Sequence, residues 1–307
     1  MAARARAAKR ARFWPTDPEE CRQARAQLPR ERMQGLLELP QAATDRIRRA
    51  LARPRDGDAF SVVSWNIDGL DDTGVEDTAQ RTLAVAEQIA LLQPTVALLQ
   101  EAIDIQARIL ERAEVLGDRY LLVSAKDPPG EYFCIVLISR HAARLTAAPR
   151  TNSFHGSTMG RHFLTVELKL QDSPSISLTV INAHLESTRS EEASIERQRQ
   201  LDEVLRKMIS LAPRPVVLAG DLNIRDKEEV LFTPRASTMM TLRCFDLVGM
   251  SKFNAYRFPS DHWAVHATWA LEMPARDEPA SSETAHASAR TFARPLASGP
   301  ALAIDLD

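Results

Sequence analysis

Short apolar runs separated by polar segments recur through the middle of the chain, and their spacing predicts alternating strands and helices. FSVVSW (60–65), VALL (96–99) and VVLA (216–219) have the length and composition of strands buried on both faces of a sheet. Between the first two, residues 78–92 have helical apolar spacing, and Pro94 ends that helix. The pattern therefore predicts a β–α–β unit within a sheet that helices cover.

The rest of the chain is predicted by the same signals. The other expected elements are a helix over 104–116, strands over 120–124, 132–139, 163–170 and 176–183, a charged helix over about 191–210 and a final strand over 263–271. Capping signals over 16–55 predict a small helical appendage or linker. The predicted organisation is a basic tail with a helical segment (1–57), one α/β domain (58–272) and a disordered tail (273–307).

Composition narrows the class of protein. A chain of 307 residues fits one enzyme-sized domain with tails. It has no apolar run approaching the ~20 residues of a membrane span, and its N-terminus lacks the apolar core of a secretory signal. Cys21, Cys134 and Cys244 are too few and too widely spaced for a disulfide framework or a zinc site. We therefore expect an intracellular protein with free thiols and no membrane contact.

The charge is divided unevenly along the chain. The net charge is −2, but residues 1–55 contain 14 Arg or Lys against 6 Asp or Glu. The opening AARARAAKRAR fits a nuclear-import patch, a nucleic-acid-attracting arm, a mitochondrial presequence or a solvated tail. The remaining domain is acidic, and an acidic domain that handles nucleic acid needs its negative charge where metal ions bind. The distribution favours a metal-dependent site.

Polar side chains follow four of the predicted strands, and a further polar cluster precedes the last strand. These residues are Asn66, Glu101, His184, Asp221 with Asn223, and the cluster Ser260–Asp261–His262. Gly220 is interpreted as a turn residue at the end of its strand. Each residue alone also fits an ordinary turn, a helix start or a satisfied polar group. Because parallel strands bring their carboxyl ends together, their joint recurrence predicts one site.

The chemistry that suits this set is phosphodiester hydrolysis assisted by a hard cation. Glu101, with Asn66 and Asp261, offers the oxygen ligands that Mg²⁺ takes. Asp221 is placed to orient or deprotonate an attacking water. Three further side chains can donate hydrogen bonds to the non-bridging phosphate oxygens, namely His184, Asn223 and His262. No cysteine and no covalent intermediate are required.

Five motifs in fixed order carry a family resemblance. SWNIDGL, LLQE, NAHLESTR, GDLNIRD and FPSDHW, across residues 60–271, resemble the endonuclease/exonuclease/phosphatase superfamily, which includes deoxyribonuclease I and the abasic-site endonucleases. They are most similar to the tyrosyl-DNA phosphodiesterases of that superfamily. The resemblance implies an α/β fold of two packed mixed β-sheets flanked by helices, a four-layer sandwich. It also implies hydrolysis, dependent on Mg²⁺ or Mn²⁺, of the 5′-phosphotyrosyl bond that topoisomerase 2 leaves on DNA.

The resemblance also assigns roles to residues. It implies that Asn66 and Glu101 serve the metal, that Asp221 serves the water, and that Asn223, His184 and His262 hold the scissile phosphate. It further implies a substrate-binding set consisting of Trp65, Arg161, Ser187, Arg189 and Arg225. Ordinary salt bridging within loops is the competing explanation for that set. The implied protein is a monomer that repairs DNA double-strand breaks in the nucleus, with the cytoplasm as an alternative.

The chain departs from the family pattern after GDLNIRD. Only 40 residues, 222–261, separate Asp221 from His262, where the family has a longer segment that carries a substrate-contacting Trp and an Asp-bearing strand. Residues 244–250 fit the segment just downstream of that strand. We therefore expect an internal deletion of at least one strand. An active phosphodiesterase, an impaired variant that acts through partner binding by residues 1–57, and another nuclease such as an abasic endonuclease all stay open.

Overall fold

Two β-sheets pack face to face, and helices cover the outer face of each. The structure is a computed structural model that describes residues 39–55, 59–71, 75–124, 131–224, 240–252 and 258–271. Separate apolar clusters fill the space between the sheets and the space beneath each helical layer. The layers therefore run helices, sheet, sheet, helix, which confirms the predicted four-layer α/β sandwich.

The described elements alternate much as the apolar runs predict. In chain order they are α1 (Gln41–Leu51), β1 (Ala59–Asn66), α2 (Val75–Leu92), β2 (Val96–Ala102), α3 (Asp104–Leu110), a π-helical turn (Ala113–Gly117), β3 (Tyr120–Ser124), β4 (Phe133–Ser139), β5 (Ala143–Leu145), β6 (Arg150–Ser153), β7 (His162–Leu170), β8 (Ser177–His184), α4 (Glu191–Ser210), β9 (Val216–Asp221), β10 (Met240–Val248) and β11 (Ala264–Leu271). One sheet has the order β10-β11-β1-β2-β4-β3. The other has the order β5-β7-β8-β9, and β6 pairs with β7.

Each sheet contains one parallel pair that is joined through a helix. β1 and β2 are parallel and connected by α2, with Asn66 opposite Gln100. β8 and β9 are parallel and connected by α4, with His184 opposite Asp221. Both strands of a parallel pair end at the same edge of their sheet. Since β1 and β2 also contact β8 and β9 across the sandwich, the four strand ends meet at one edge of the molecule.

A buried amide pair joins the two sheets just below this edge. Asn182 on β8 donates to the backbone oxygens of Leu99 at 3.0 Å and Ile135 at 2.9 Å, both in the opposite sheet. Its side-chain oxygen accepts a hydrogen bond from Gln100 Nε2 at 2.7 Å. Both amides are fully buried. Hydrogen bonds in such a setting are costly to leave unmade, so the pair fixes how the sheets register against each other.

Helix α1, which precedes the first strand, packs onto the same domain. Ile47, Ala50 and Leu51 of α1 are buried in the cluster that also covers α2. Arg46 adds an ion pair to Glu87 at 2.8 Å. The predicted helical appendage is therefore, over Gln41–Leu51, part of the domain core. Residues 1–38 and the predicted tail beyond 272 lie outside the described residues.

Several local predictions differ from the structure. The helix predicted over 104–116 ends at Leu110, and a π-helical turn follows. The strands β5 and β6 were not predicted, because three and four residues are too few to show a period. β10 was not predicted either, because MTLRCFDLV does not alternate regularly between apolar and polar residues. In the described part of the chain, no helix is long and apolar enough to cross a membrane.

The predicted turn at Gly220 is wrong. Gly220 lies inside β9, opposite Ala183 of β8, and the chain leaves the strand only after Asp221. A Cβ atom at Gly220 would lie 1.9 Å from the backbone oxygen of Ala183. Glycine is therefore needed here because two backbones approach closely. This approach places the end of β9 against the end of β8.

Candidate active site

The structure brings the four polar strand ends together, as the pattern of strands and polar residues predicts. Asn66 Nδ2 donates to Asp221 Oδ2 at 2.7 Å. His184 Nε2 lies 3.4 Å from Asp221 Oδ2 and 3.7 Å from Glu101 Oε1. Asn66, His184 and Asp221 are buried, while Glu101 is partly exposed. The four side chains form one polar cluster with a carboxylate that faces solvent.

Unusual backbone conformations concentrate at this cluster. Asp68, Glu101 and Asn223 have φ values of 43°, 54° and 53°, in the left-handed region that non-glycine residues seldom adopt. Among the described residues only Gln93 shares this feature. Each such residue costs of order 1 kcal/mol or more, so the fold must hold it in place. Strained backbone that gathers at one polar cluster is typical of a functional site.

Asp221 is held as a carboxylate. Burial by itself would raise its pKa, but the nearby His184 ring and the hydrogen bond from Asn66 outweigh that effect and hold the pKa well below its usual value. Its other oxygen, Oδ1, accepts from the backbone N–H of Asn223 at 3.2 Å. The side chain is therefore a fixed negative charge with both oxygens engaged.

His184 is neutral, and its tautomer can be deduced from its neighbours. Burial and the adjacent Arg161 lower its pKa. Arg161 Nη1 contacts His184 Nδ1, and because a guanidinium can only donate, Nδ1 must be the acceptor. The ring proton therefore sits on Nε2, which faces Glu101 and Asp221. Nε2 is buried and makes no hydrogen bond, because its distances to these carboxylates are 3.7 Å and 3.4 Å. His184 thus offers a buried donor to the site.

Arg161 supplies the positive charge of the cluster. Its side chain is 1% exposed, its guanidinium lies 5.1 Å from the centre of the Tyr132 ring, and Nη1 is 3.6 Å from Glu101 Oε1. Its Nε atom is buried without a hydrogen-bond partner. Two buried donors without acceptors, Arg161 Nε and His184 Nε2, therefore lie beside the carboxylates. Such a pair suits an anionic ligand, because buried polar atoms normally have partners.

The loop before β11 is fastened to the end of β1. Ser260 Oγ donates to the backbone oxygen of Asn66 at 2.6 Å, and it accepts from the backbone N–H of His262 at 3.1 Å. Trp65 Nε1 donates to the backbone oxygen of His262 at 2.9 Å. His262 Nε2 lies 3.5 Å from Asp261 Oδ1. The loop therefore presents Asp261 and His262 at the same edge as the four strand ends.

Trp65 does not line the site. It was expected to bind substrate, but its side chain is fully buried and packs so closely on Gly249 that a Cβ there would lie 2.4 Å from the ring. A buried ring of this kind serves the core and holds the backbone of His262. The contact of Trp65 with the site is therefore indirect.

The residues present fit a magnesium ion, although the described part of the chain has no cluster of three or more His, Cys, Asp or Glu side chains that could hold a metal. Mg²⁺ commonly takes only one or two carboxylates and keeps several waters. Burial and, after it, the neighbouring carboxylates Asp261, Glu101 and Asp71 together raise the pKa of Asp68 to about 7, with Arg81 opposing them. Negative charge is therefore crowded at this edge, and a divalent cation would neutralise part of it.

The other residues that were predicted to contact the phosphate or the substrate differ in how far they are exposed to solvent. Asn223 Nδ2 donates to the backbone oxygen of Leu185 at 3.3 Å, so only part of its amide faces the cluster. Ser187 is partly exposed and contacts the Met159 sulfur at 3.5 Å, and Arg189 is exposed. Arg225 lies outside the described residues. The structure therefore leaves these four substrate roles as predictions.

The structure adds residues that the sequence analysis did not single out. Tyr132, which forms the platform under Arg161, follows an unremarkable polar turn in the sequence. Asp68 reads as an ordinary turn residue of the NIDG stretch. Glu186 is buried two residues after His184, and its place in the NAHLESTR motif, shortly after a predicted strand end, was the available signal.

Comparisons with known proteins show what the chain is similar to. Residues 63–284 match the model of the Endonuclease/Exonuclease/phosphatase family. The chain is similar to tyrosyl-DNA phosphodiesterase 2 of Xenopus laevis, at 29% identity over 260 residues, covering 68% of this chain and 66% of that protein. It is similar to the human protein of the same name at 28% identity, covering 68% of each chain. The alignments thus span about two thirds of these relatives.

Solved structures show the same fold. A humanized D. rerio TDP2 superposes with a TM-score of 0.60 at 28% identity, covering 69% of this chain and 98% of that chain. A D. rerio TDP2 complexed with single-strand DNA product has a TM-score of 0.58 at 24% identity, with the same coverage. The match of the family model extends to residue 284, beyond the boundary of 272 that composition suggested.

Proposed function

Because the chain belongs to the Endonuclease/Exonuclease/phosphatase family, we propose that it is a magnesium-dependent phosphodiesterase that hydrolyses 5′-phosphotyrosyl bonds on DNA. The observation that carries this proposal is the meeting of Asn66, Glu101, His184 and Asp221 at one edge, with the unpartnered donors of His184 and Arg161 beside them. That arrangement offers anionic oxygens for a cation and cationic or neutral donors for a phosphate.

The substrate class is supported by the relatives. The curated proteins named above are tyrosyl-DNA phosphodiesterases, and one structure with the same fold holds a single-strand DNA product. The five motifs that resemble this branch contain the residues of the cluster, apart from Arg161 and Tyr132. We therefore propose a DNA end that carries a tyrosyl or topoisomerase 2 adduct as the substrate, and double-strand break repair as its setting.

Each residue receives a role from its surroundings. Glu101, Asn66 and Asp261 would hold Mg²⁺, which when bound acts as a Lewis acid on a phosphate oxygen. Asp221, which its lowered pKa keeps as a buried carboxylate, orients the attacking water by accepting a hydrogen bond from it.

Donors to the phosphate complete the arrangement. His184, with its proton on Nε2, and Arg161, with its free Nε, donate to the non-bridging oxygens, whose negative charge grows in the transition state. His262 and Asn223 stand at the same edge as further donors. Because these donors are already fixed by neighbouring groups, they need little reorganisation during the reaction.

The proposal is tested by incubating the purified chain with an oligonucleotide that carries a 5′-phosphotyrosine, and measuring tyrosine release with Mg²⁺ and with EDTA. We expect release only with Mg²⁺. A parallel substrate with an abasic site distinguishes another nuclease of the family, since preference for the abasic strand would overturn the assignment to tyrosyl DNA.

A second candidate is a catalytically impaired variant that acts through partner binding. Among the described residues β9, which carries Asp221, pairs only with β8. The alignment with the Xenopus laevis relative runs over 260 positions, whereas 68% of this chain is about 209 residues, so this chain lacks about 51 of the aligned positions. The missing positions, together with the short spacing between Asp221 and His262, favour a segment that is absent between Asp226 and Ser260.

The two candidates are separated by restoring that segment. A chimaera carries the corresponding residues of the Xenopus laevis relative between Asp226 and Ser260, and is compared with the unaltered chain in the same tyrosine-release assay. An inert chain with an active chimaera supports the impaired variant. Equal activity of both shows that the shortened chain is a complete enzyme.

A further inference from the structure

Glu186 is a buried carboxylate that none of the proposed catalytic roles uses. It lies two residues beyond His184, and its side chain is almost fully shielded from solvent. Three neutral side chains donate to it: Ser157 Oγ at 2.7 Å, Thr158 Oγ1 at 2.9 Å and Gln200 Nε2 at 3.2 Å. A buried charge is costly unless hydrogen bonds satisfy it, so these donors are what allow it to be there.

Helix α4 holds Glu186 from one side. Gln200 not only donates to the carboxylate but also accepts from the backbone N–H of Glu186, at 2.9 Å. Arg197 Nη1 donates to the backbone oxygen of Glu186 at 3.0 Å and to that of Thr188 at 2.7 Å. Arg197 and Gln200 are both buried. The position of Glu186 is therefore set by a rigid element and not by the loop that it contacts.

On its other side Glu186 orders the segment 157–161, which leads to Arg161. Ser157 Oγ accepts from the backbone N–H of Met159 at 3.2 Å and from that of Arg161 at 2.9 Å. A hydroxyl has one proton and two lone pairs. Because its proton goes to Glu186, both lone pairs of Ser157 are left for these two N–H groups. The carboxylate thus sets the direction of a hydroxyl that fixes the backbone of Arg161.

We propose that Glu186 is a positioning residue that locks the segment 157–161 so that the Arg161 guanidinium stays beside His184 and Glu101. The inference deepens the proposed function and rests on it for its kinetic consequence. Glu186 touches neither the phosphate nor the metal. It acts through Ser157 and Thr158 on the one arginine that the described site directs at the scissile group.

The test compares Glu186→Ala with Glu186→Gln, and uses Glu203→Ala, an exposed position on α4, as the matched control. Glutamine keeps one acceptor, and the Thr158 hydroxyl can turn to accept its amide proton, so Glu186→Gln should stay within about threefold of the unaltered kcat/KM. Glu186→Ala frees the segment, and a displaced arginine should lower kcat/KM by about 100-fold. Glu203→Ala should match the unaltered chain.

A second readout does not depend on activity. Arg161 is buried, so trypsin should cut the Arg161–His162 bond slowly in the unaltered chain and in Glu186→Gln, and rapidly in Glu186→Ala. Mass spectrometry of the fragments identifies the bond. If tyrosyl DNA is not hydrolysed by the unaltered chain but the trypsin pattern follows this order, the proposed function fails while the positioning role stands.

Two results overturn the inference: unchanged cleavage of that bond in Glu186→Ala, or kinetic constants in Glu186→Ala that equal those of Glu203→Ala. Should Glu186→Ala fail to fold, Thr158→Val removes one donor at an exposed position and takes its place. We expect this variant to show partial release of the segment, and trypsin resistance equal to that of the unaltered chain would equally overturn the inference.

Discussion

The two β–α–β units bring their strand ends to the same edge but are held there in different ways. β1 and β2 lie in the middle of the six-stranded sheet, with β11 beyond one and β4 beyond the other. In the second unit β8 has two neighbours, but β9 has only β8 among the described residues. The first unit is therefore fixed by backbone pairing on both sides, whereas the second needs other constraints.

Those constraints can be named. The backbones of Gly220 and Ala183 approach too closely for a side chain, which fixes β9 against β8. Asn66 reaches across from the first unit to Asp221. Below the edge, Asn182 ties β8 to the other sheet. The comparison teaches that Asp221 is placed by close contacts and side-chain hydrogen bonds, so single substitutions should disturb the second unit more than the first.

The largest effect on stability is expected from Gly220→Ala. A methyl group would overlap the Ala183 oxygen, and relieving the overlap would separate β9 from its only described neighbour. We expect the free energy of unfolding to fall by at least about 4 kcal/mol, measured by urea denaturation.

Gly156→Ala is the control, because its added methyl meets only the flexible end of the Glu196 side chain. It should cost less than about 1 kcal/mol. Similar small losses for both variants would show that the approach at Gly220 does not hold the second unit.

A smaller loss is expected from Asn182→Ala. This change removes the donor to the backbone oxygens of Leu99 and Ile135 and one of the acceptors of the Gln100 amide, which keeps its bond to the Leu98 oxygen. Unsatisfied buried groups of this kind should lower the free energy of unfolding by about 3 kcal/mol, again by urea denaturation. Asn152→Ala, at an exposed position of β6, should stay within about 0.5 kcal/mol. An unchanged free energy of unfolding in Asn182→Ala would mean that the hydrogen bonds of Asn182 are not needed to hold the two sheets in position.

The smallest effect concerns pH. Burial lowers the pKa of His162 to about 4, with Arg161 and His184 adding to the decrease and the Gly160 oxygen opposing it. The unfolded chain binds a proton near pH 6.5 and the folded chain does not, so stability from this residue falls as pH drops from 6.5 towards 4. Between pH 7.5 and pH 5 the loss should be about 2 kcal/mol.

His162→Gln tests this dependence, because glutamine does not titrate and can still accept from the backbone N–H of Cys134. The difference in unfolding free energy between pH 7.5 and pH 5 should shrink by about 2 kcal/mol in this variant. An unchanged difference would assign the acid sensitivity to other groups.

The sequence predicted most of the first unit and the chemistry of its strand ends. FSVVSW, VALL and the helix over 78–92 carry strong periodic signals, and the polar residues that follow them lie where parallel topology requires. The second unit was also predicted, but Gly220 was wrongly assigned to a turn. A glycine that is needed where two strand backbones approach closely cannot be distinguished in sequence from a glycine in a turn.

The rest of the site could not be predicted because it depends on contacts between distant segments. Tyr132 meets Arg161, and Trp65 meets the backbone of His262, only after the sheets have packed. The family resemblance implied that Trp65 binds substrate, and an aromatic residue next to Asn66 carries no sign of the face of β1 that it occupies. The lowered pKa of His184 likewise follows from its burial and from Arg161, which lies just before β7, and neither can be read from the strand that carries His184.

The most direct test of the site is the tyrosine-release assay on three proteins: the unaltered chain, Glu101→Ala from the first unit and Asp221→Asn from the second. Both substitutions leave the strand pairing in place. If both units supply the chemistry, Mg²⁺-dependent release falls by at least about 100-fold in each variant. Release that survives both substitutions at the unaltered rate would contradict the assignment of this edge as the active site.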